Sequence, residues 1–444
     1  MLFTGVAYAL VRAASRLIST HGSRAVRFVA RRDRRREDRR GTHKCVRHTG
    51  SIEDLAKVCQ VILLAATALT LAAQTKPRAR DLGVPFEGTP GALNSIVDVA
   101  GVEVGHTTLI SGNGKLQVGV GPVRTGVTAI WPRGKQSSDP VFAGWFSQNG
   151  NGEMTGTPWL EESGFADGPV LITNTHSVGV VRDSFLSWLV KNNRRPGTNV
   201  FPGGFFTYPI VAETYDGFLN DVNGFHVKPE HVAAALEGAS RGPVPEGAVG
   251  GGTGMICYGF KGGIGNSSRR LPPERGGYTV GALVQCNCGS RRQLRIGGVP
   301  LGLEISDNMP VASLRQPFRE DMGSIIIVVA TDAPLLPHQT KRLARRATMG
   351  LARTGSTSGN GSGDLFIAFS TANPGAAAAK GPASITMLNN NELDPVFEAV
   401  VQATEEAIVN AMVGAETMTG VDGHRVFALP HDRLRAALKK YNRQ

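Results

Sequence analysis

Aromatic side chains make up only 6% of this 444-residue chain, and cysteines number five. So few cysteines exclude a small scaffold stapled by disulfides. Few aromatics beside 56 glycines and 25 prolines disfavour a long helical bundle. They favour short strands, tight turns and small-residue packing. The one G-x-S-x-G string, Gly238–Gly242, follows the helix pattern Pro229–Gly238 rather than a strand, so an α/β-hydrolase elbow and its triad are unsupported. No H-E-x-x-H occurs, which excludes a zincin motif. The Gly-rich stretch Gly250–Gly265 lacks the order of a phosphate loop, because Lys261 is flanked by Phe260 and Gly262. Close backbone packing or a substrate-lining loop explains its glycines better. No apolar run reaches the roughly 20 residues of a membrane-spanning helix.

Charge of one sign is also scarce outside the first residues. The formal net charge is +12, yet the segment up to Lys76 holds 15 basic and 5 acidic residues. The remainder holds 33 and 31 and is close to neutral. A nearly neutral body argues against a nucleic-acid partner. Hydrophobic residues at 41% and charged residues at 19% fit a folded protein with a sizeable core.

Cys45 and Cys59 fall in the leader, leaving Cys257, Cys286 and Cys288. Structural zinc wants four ligands, usually in C-x₂₋₄-C pairs, and these are not supplied. The three are read as small buried residues. His106 and His176 sit in turns and are read as structural. No metal or cofactor is expected.

Residues 1–77 read as a basic leader. Within it, Val61–Ala73 is a 13-residue apolar run preceded by Lys57 and closed by small residues. That is the outline of a secretory signal with cleavage near Ala73, although more than 50 residues stand in front of it. The expectation is a true start downstream of Met1 and export to the periplasm or outside, guided by 57–73. The alternatives are a basic membrane anchor or targeting arm, or a disordered tail before an ordinary core helix. If the segment is silent, the protein is cytoplasmic. No stable membrane span is expected in the mature form.

The body, from about Arg78, alternates strand and helix patterns with no linker long enough to split it. Strands are expected around a turn in Ser95–Leu109, then at Val127–Trp131, Val141–Phe146, Val170–Thr173, Phe205–Glu213, Val280–Asn287, Leu294–Ile296 and Asp364–Ser370. Ser324 opens SIIIVVATDAP, the most strand-like run in the chain. Helices are expected over Thr175–Asn192, Pro229–Gly238, Pro337–Thr354 and from Asp394 to about Met412. The class is mixed α/β or α+β, with layered sheets and helices outside; α+β is the class carried forward.

The chemistry-bearing feature is Gly323-Ser324, at the head of that Ile/Val strand after the polar connection Arg315–Gly323. Serine is a poor nucleophile until a base takes its proton. Cutting the chain before it frees an α-amine with a reference pKa near 7.7–8.0, beside the hydroxyl. Gly361-Ser362-Gly363-Asp364 offers a hydroxyl and a carboxylate two residues apart, able to orient and relay a proton. Asn287 ends a strand with an amide that can donate to a developing oxyanion. Tyr215 offers a phenol. Each is an ordinary feature when taken separately.

Together these residues resemble a known family. VGHTTL at Val104–Leu109, NGNGEMTG at Asn149–Gly156, ETYDGFLND at Glu213–Asp221 and GGGTGMICYGFKGGIGNSSR at Gly250–Arg269 carry the resemblance. VQCNCG at Val284–Gly289, GSIIIVVATDAPLLPHQ at Gly323–Gln339 and GSGDLFIAFST at Gly361–Thr371 complete it. From about Arg80 onward the chain is similar to the DmpA-type L-aminopeptidase/D-amidase/D-esterase and β-aminopeptidase family. The resemblance implies a four-layer αββα sandwich of the N-terminal-nucleophile kind and a self-processing precursor. It implies cleavage between Gly323 and Ser324, giving an α chain 78–323 and a β chain 324–444. Ser324 becomes the nucleophile, Ser362 and Asp364 assist it, Asn287 holds the oxyanion and Tyr215 lines the site. Some relatives carry Glu where this chain has Asp364. The implied substrates are small peptides or amino-acid amides and esters, and the implied assembly is a homo-oligomer of processed αβ units. Two alternatives stand beside this reading: an N-acyltransferase of the ornithine acetyltransferase type, and a catalytically silent scaffold.

Overall fold

The computed structural model describes residues 76–444, apart from 196, 198, 314–316, 321–322 and 379. The leader up to residue 75, with its apolar run and arginine cluster, and parts of the connection 315–323 lie outside the described residues.

Two sheets stack face to face. The first contains β1 (Glu103–Ser111), β2 (Val123–Trp131), β5 (Val170–Asn174) and β6 (Ile210–Thr214), in the order β1-β2-β5-β6. The second runs β7-β8-β9-β10-β3-β4. Its members are β3 (Val141–Ser147), β4 (Phe165–Ala166), β7 (Gly263–Arg270), β8 (Thr279–Cys286), β9 (Ile325–Thr331) and β10 (Leu365–Ser370). In it β8 is antiparallel to β9, and β9 is parallel to β10.

The side-chain period of two explains the stacking. In β9, Ile325, Ile327 and Val329 point into a core shared with helices, while Ile326, Val328 and Ala330 point into the core between the sheets. β10 divides likewise, with Phe366 and Ala368 on one side and Leu365, Ile367 and Phe369 on the other. A strand apolar on both faces is stable only between two layers. Burying each of these large side chains is worth roughly 1.5–3 kcal/mol, so β9 starts from a firmly held position.

The outer layers are amphipathic helices. Helices α1 (Val178–Lys191) and α2 (Pro229–Glu237) cover the first sheet through Val181, Phe185, Val232 and Leu236. Helices α3 (Pro337–Arg353) and α4 (Asp394–Val413) cover the second through Leu343, Ala347, Val400 and Ile408. The result is the four-layer αββα sandwich implied by the resemblance.

Four local expectations are corrected. Ile96–Asp98 is a 3-10 turn rather than strand, because Asp98 accepts the backbone N–H groups of Ser95 and Leu93 and the Ser268 hydroxyl. The strand expected over Phe205–Glu213 begins only at Ile210, after Pro209, which lacks the N–H a ladder needs. Gly204–Phe205 pairs instead with Val200–Phe201. Leu294–Ile296 forms no strand; Ile296 and Val299 make a single bridge about the Gly297-Gly298 turn. Finally, the cysteines are buried as expected, but Cys257 and Cys286 are joined by a disulfide. Their 29-residue separation concealed this: β7 sets Gly263 opposite Cys286 on β8, and the short hairpin Ile256–Lys261 just before β7 brings Cys257 to the same point.

Candidate active site

The site lies where β8 ends and β9 and β10 begin. Antiparallel pairing places Cys286 opposite Ile325, so the next residues, Asn287 and Ser324, also meet. The Asn287 N–H donates to the Ser324 carbonyl at 3.1 Å. Parallel pairing of Ile326 with Leu365 brings the loop before β10 alongside Ser324. There the Gly363 N–H donates to Ser324 Oγ at 3.0 Å. Ser362 Oγ donates to Asp364 Oδ1 at 2.5 Å, and that oxygen also accepts the Ile325 N–H at 3.3 Å. Ser324, Ser362, Asp364 and Asn287 are all buried.

The first sheet contributes from across the sandwich. Gln285 Nε2 donates to the Thr173 carbonyl and to Thr214 Oγ1, both at 2.9 Å, tying the two sheets together at this end. Tyr215 follows Thr214, and its carbonyl accepts from Asn287 Nδ2 at 2.9 Å. Asn287 Oδ1 in turn accepts the Ile256 N–H at 2.7 Å. A carbonyl on one side and an N–H on the other fix which way this amide points. Tyr215 thus touches the cluster with its backbone. Its side chain is 43% exposed, and burial with the neighbouring Asp216 charge pushes the phenol above its usual range.

Two glycines are dictated by close approach. A β-carbon on Gly323 would stand 1.8 Å from the Asn287 carbonyl oxygen and 2.7 Å from its Nδ2. One on Gly363 would stand 2.3 Å from the Asn151 carbonyl oxygen, in the polar turn that caps the site. A Gly323→Ala variant is therefore expected to displace the peptide joined to Ser324 and lengthen the half-time of chain cleavage at least about tenfold. Intact-mass measurement over time checks this; unchanged cleavage would show that the close fit at Gly323 is irrelevant.

Sequence reasoning missed Glu213, the penultimate residue of β6, which is 3% exposed. One carboxylate oxygen accepts the Glu153 N–H at 3.0 Å and the other accepts the Thr175 hydroxyl. Burial pushes its carboxyl above the ordinary range, against the pull of these bonds. Its Oε1 and Gly363 both lie beside Gly152, which places it next to the loop whose N–H donates to Ser324 Oγ. The available signal was a charged residue near the end of a buried strand.

Cys257, Cys286 and Cys288 offer sulfurs within 4.8 Å of one another, but two of them are committed to the disulfide. Among the described residues no helix is long and apolar enough to cross a membrane.

A buried serine beside a Ser–carboxylate pair and an oriented amide suits acyl transfer on a serine hydroxyl. The model of peptidase family S58 matches residues 94–426, which include every residue of this cluster. The β-peptidyl aminopeptidase BapA of Sphingosinicella microcystinivorans is 56% identical over 83% of this chain and 93% of its own. That of Sphingosinicella xenopeptidilytica is 50% identical over 85% and 95%. Among solved structures, the L-aminopeptidase D-Ala-esterase/amidase of Ochrobactrum anthropi, described as a variant of the Ntn hydrolase fold, superposes with a TM-score of 0.76. It is 48% identical, covering 83% of this chain and 99% of that one. The acyltransferase and scaffold alternatives find no support in these matches. With a family model spanning most of its length and relatives half identical or better, the chain belongs to peptidase family S58 and is a hydrolase of the aminopeptidase type.

Proposed function

We propose that the chain cuts itself between Gly323 and Ser324 and then removes N-terminal residues from small peptides, amides or esters through an acyl-enzyme on Ser324. The α chain is then 78–323 and the β chain 324–444. The observation that carries this reading is the meeting of Ser324 with Asn287 and with the Ser362–Asp364 loop at one rigid sheet end.

In the precursor, Ser324 Oγ attacks the Gly323 carbonyl carbon. Its proton passes to the departing Ser324 nitrogen, and the acyl group moves from N to O. Water then cleaves the ester, leaving a Gly323 carboxylate and a free Ser324 amine and hydroxyl. In turnover Ser324 Oγ attacks the substrate carbonyl, the leaving amine takes a proton, and water hydrolyses the acyl-enzyme. The Ser324 amine, Ser362 and Asp364 share the proton transfers. Asn287 donates to the oxyanion.

An aminopeptidase must hold the substrate's ammonium group. Glu213, a buried carboxylate next to the Gly363 loop beside Ser324, is suited to it, and an ammonium there offsets the cost of burying that charge. The names of the relatives point to N-terminal β-residues as the preferred class. The processed units assemble as a homo-oligomer, and 57–73 directs export.

A panel of β- and α-amino-acid anilides, each with a free or acetylated amine, tests the reading. Free-amine β-anilides are expected to be hydrolysed and acetylated ones spared. Glu213→Gln is expected to raise KM for free-amine substrates about 10–100-fold with a smaller change in kcat, the scale of a lost charged hydrogen bond. Equal hydrolysis of acetylated anilides would reject the aminopeptidase reading.

A further inference from the structure

Lys261 is fully buried and stands in a hairpin opposite Ile256. Burying an amine is costly unless its donors are used, and none of the chemistry above uses this one. Its Nζ donates to the carbonyls of Met255 at 2.7 Å and Gly262 at 2.8 Å. The Met255 carbonyl and the Ile256 N–H belong to one peptide unit. Lys261 grips that unit by its oxygen, while its N–H donates to Asn287 Oδ1. The next residue, Cys257, is tied by its disulfide to Cys286, the neighbour of Asn287. Lys261, one peptide unit and the Asn287 amide therefore form a continuous line of hydrogen bonds ending at Nδ2.

We propose that Lys261 is a positioning residue for the reaction: it holds and polarises the Met255–Ile256 peptide so that the Asn287 amide faces the oxyanion as a strengthened donor. A donor placed on a carbonyl makes the N–H of the same peptide a better donor, and the effect passes along a chain of amides. The disulfide fixes the same bracket sterically. Burial brings the Lys261 pKa down to about 7, with the Asp216 charge acting against that fall. Both donations to carbonyls remain available to the neutral amine.

The inference rests on Asn287 being the oxyanion donor, and a double-mutant cycle separates the two claims. Lys261→Met, Lys261→Gln, Asn287→Ala and the Lys261→Met/Asn287→Ala pair are compared by kcat and KM, normalised to the processed fraction from intact mass, with thermal melts as the check on folding. Lys261→Met is expected to lower kcat about tenfold and leave KM within about twofold. Lys261→Gln, which keeps a donor, is expected to recover part of the loss. In the Asn287→Ala background the Lys261 change is expected to cost less than about twofold, because its route to the oxyanion is gone. Unchanged kcat in Lys261→Met, or the same tenfold cost in both backgrounds, overturns the proposal. Loss of folding in both Lys261 variants overturns it too, since Lys261 would then serve the fold alone. An Asn287→Ala variant with full kcat would instead reject Asn287 as the donor, and the Lys261 proposal would fall with it.

Discussion

A Ser324→Ala variant is expected to stay a single polypeptide and to lose amide hydrolysis by roughly 10⁴–10⁶-fold. In the proposed mechanism one hydroxyl serves both events, as the atom that attacks the preceding carbonyl and later the atom that carries the acyl group. Removing it also leaves the buried Gly363 N–H without its acceptor, a cost of about 1–3 kcal/mol that a thermal melt should register. The fold should survive, because Ser324 lies one residue before β9 and that strand is held by both cores. Intact mass, N-terminal sequencing and an anilide assay read the outcome. Wild-type protein should yield a second chain beginning Ser-Ile-Ile-Ile, and the variant should not. A variant that still splits between 323 and 324, or keeps wild-type turnover, would remove Ser324 from the mechanism.

Asn287→Ala is expected to lower kcat about 10²–10³-fold with little change in KM, the usual cost of one oxyanion donor. The side chain is buried between a carbonyl and an N–H, so it is preorganised before substrate arrives. Asn287→Asp should be worse than alanine. A carboxylate can still accept from the Ile256 N–H, but its second oxygen would face the Tyr215 carbonyl and the developing negative charge, both repulsive. The order of kcat among the three forms is the measurement. An aspartate variant as fast as wild type would exclude an oxyanion role for this position.

Much of this arrangement was legible before any coordinates. The Ile/Val run after Ser324 reads as a strand buried on both faces, and a Gly-Ser pair at its head is where a liberated nucleophile would stand. Ser362 and Asp364 are close in sequence and precede the next strand, so their partnership is local. Other parts were not legible. Tyr215 was singled out for its phenol, whereas the contact it makes with Asn287 is through its carbonyl, which no side-chain pattern reveals. Glu213 carries no local motif, and only the fold places it beside the Gly363 loop. The Cys257–Cys286 pair needed both the β7–β8 pairing and the short hairpin Ile256–Lys261 before it to close a gap of 29 residues.

The sequence by itself determined the layers: alternating apolar faces require two sheets packed together with helices outside, and the Gly-Ser and Ser-x-Asp motifs fall at strand starts. Tertiary structure decided which strand starts share an end, and therefore which groups face Ser324. Antiparallel β8–β9 and parallel β9–β10 pairing put Asn287, Ser324 and Asp364 side by side, and the Gln285 tie brought Tyr215 and Glu213 from the other sheet. The reason is physical: periodicity is a property of neighbours along the chain, whereas register is set by long-range hydrogen bonds and by which faces can be buried together.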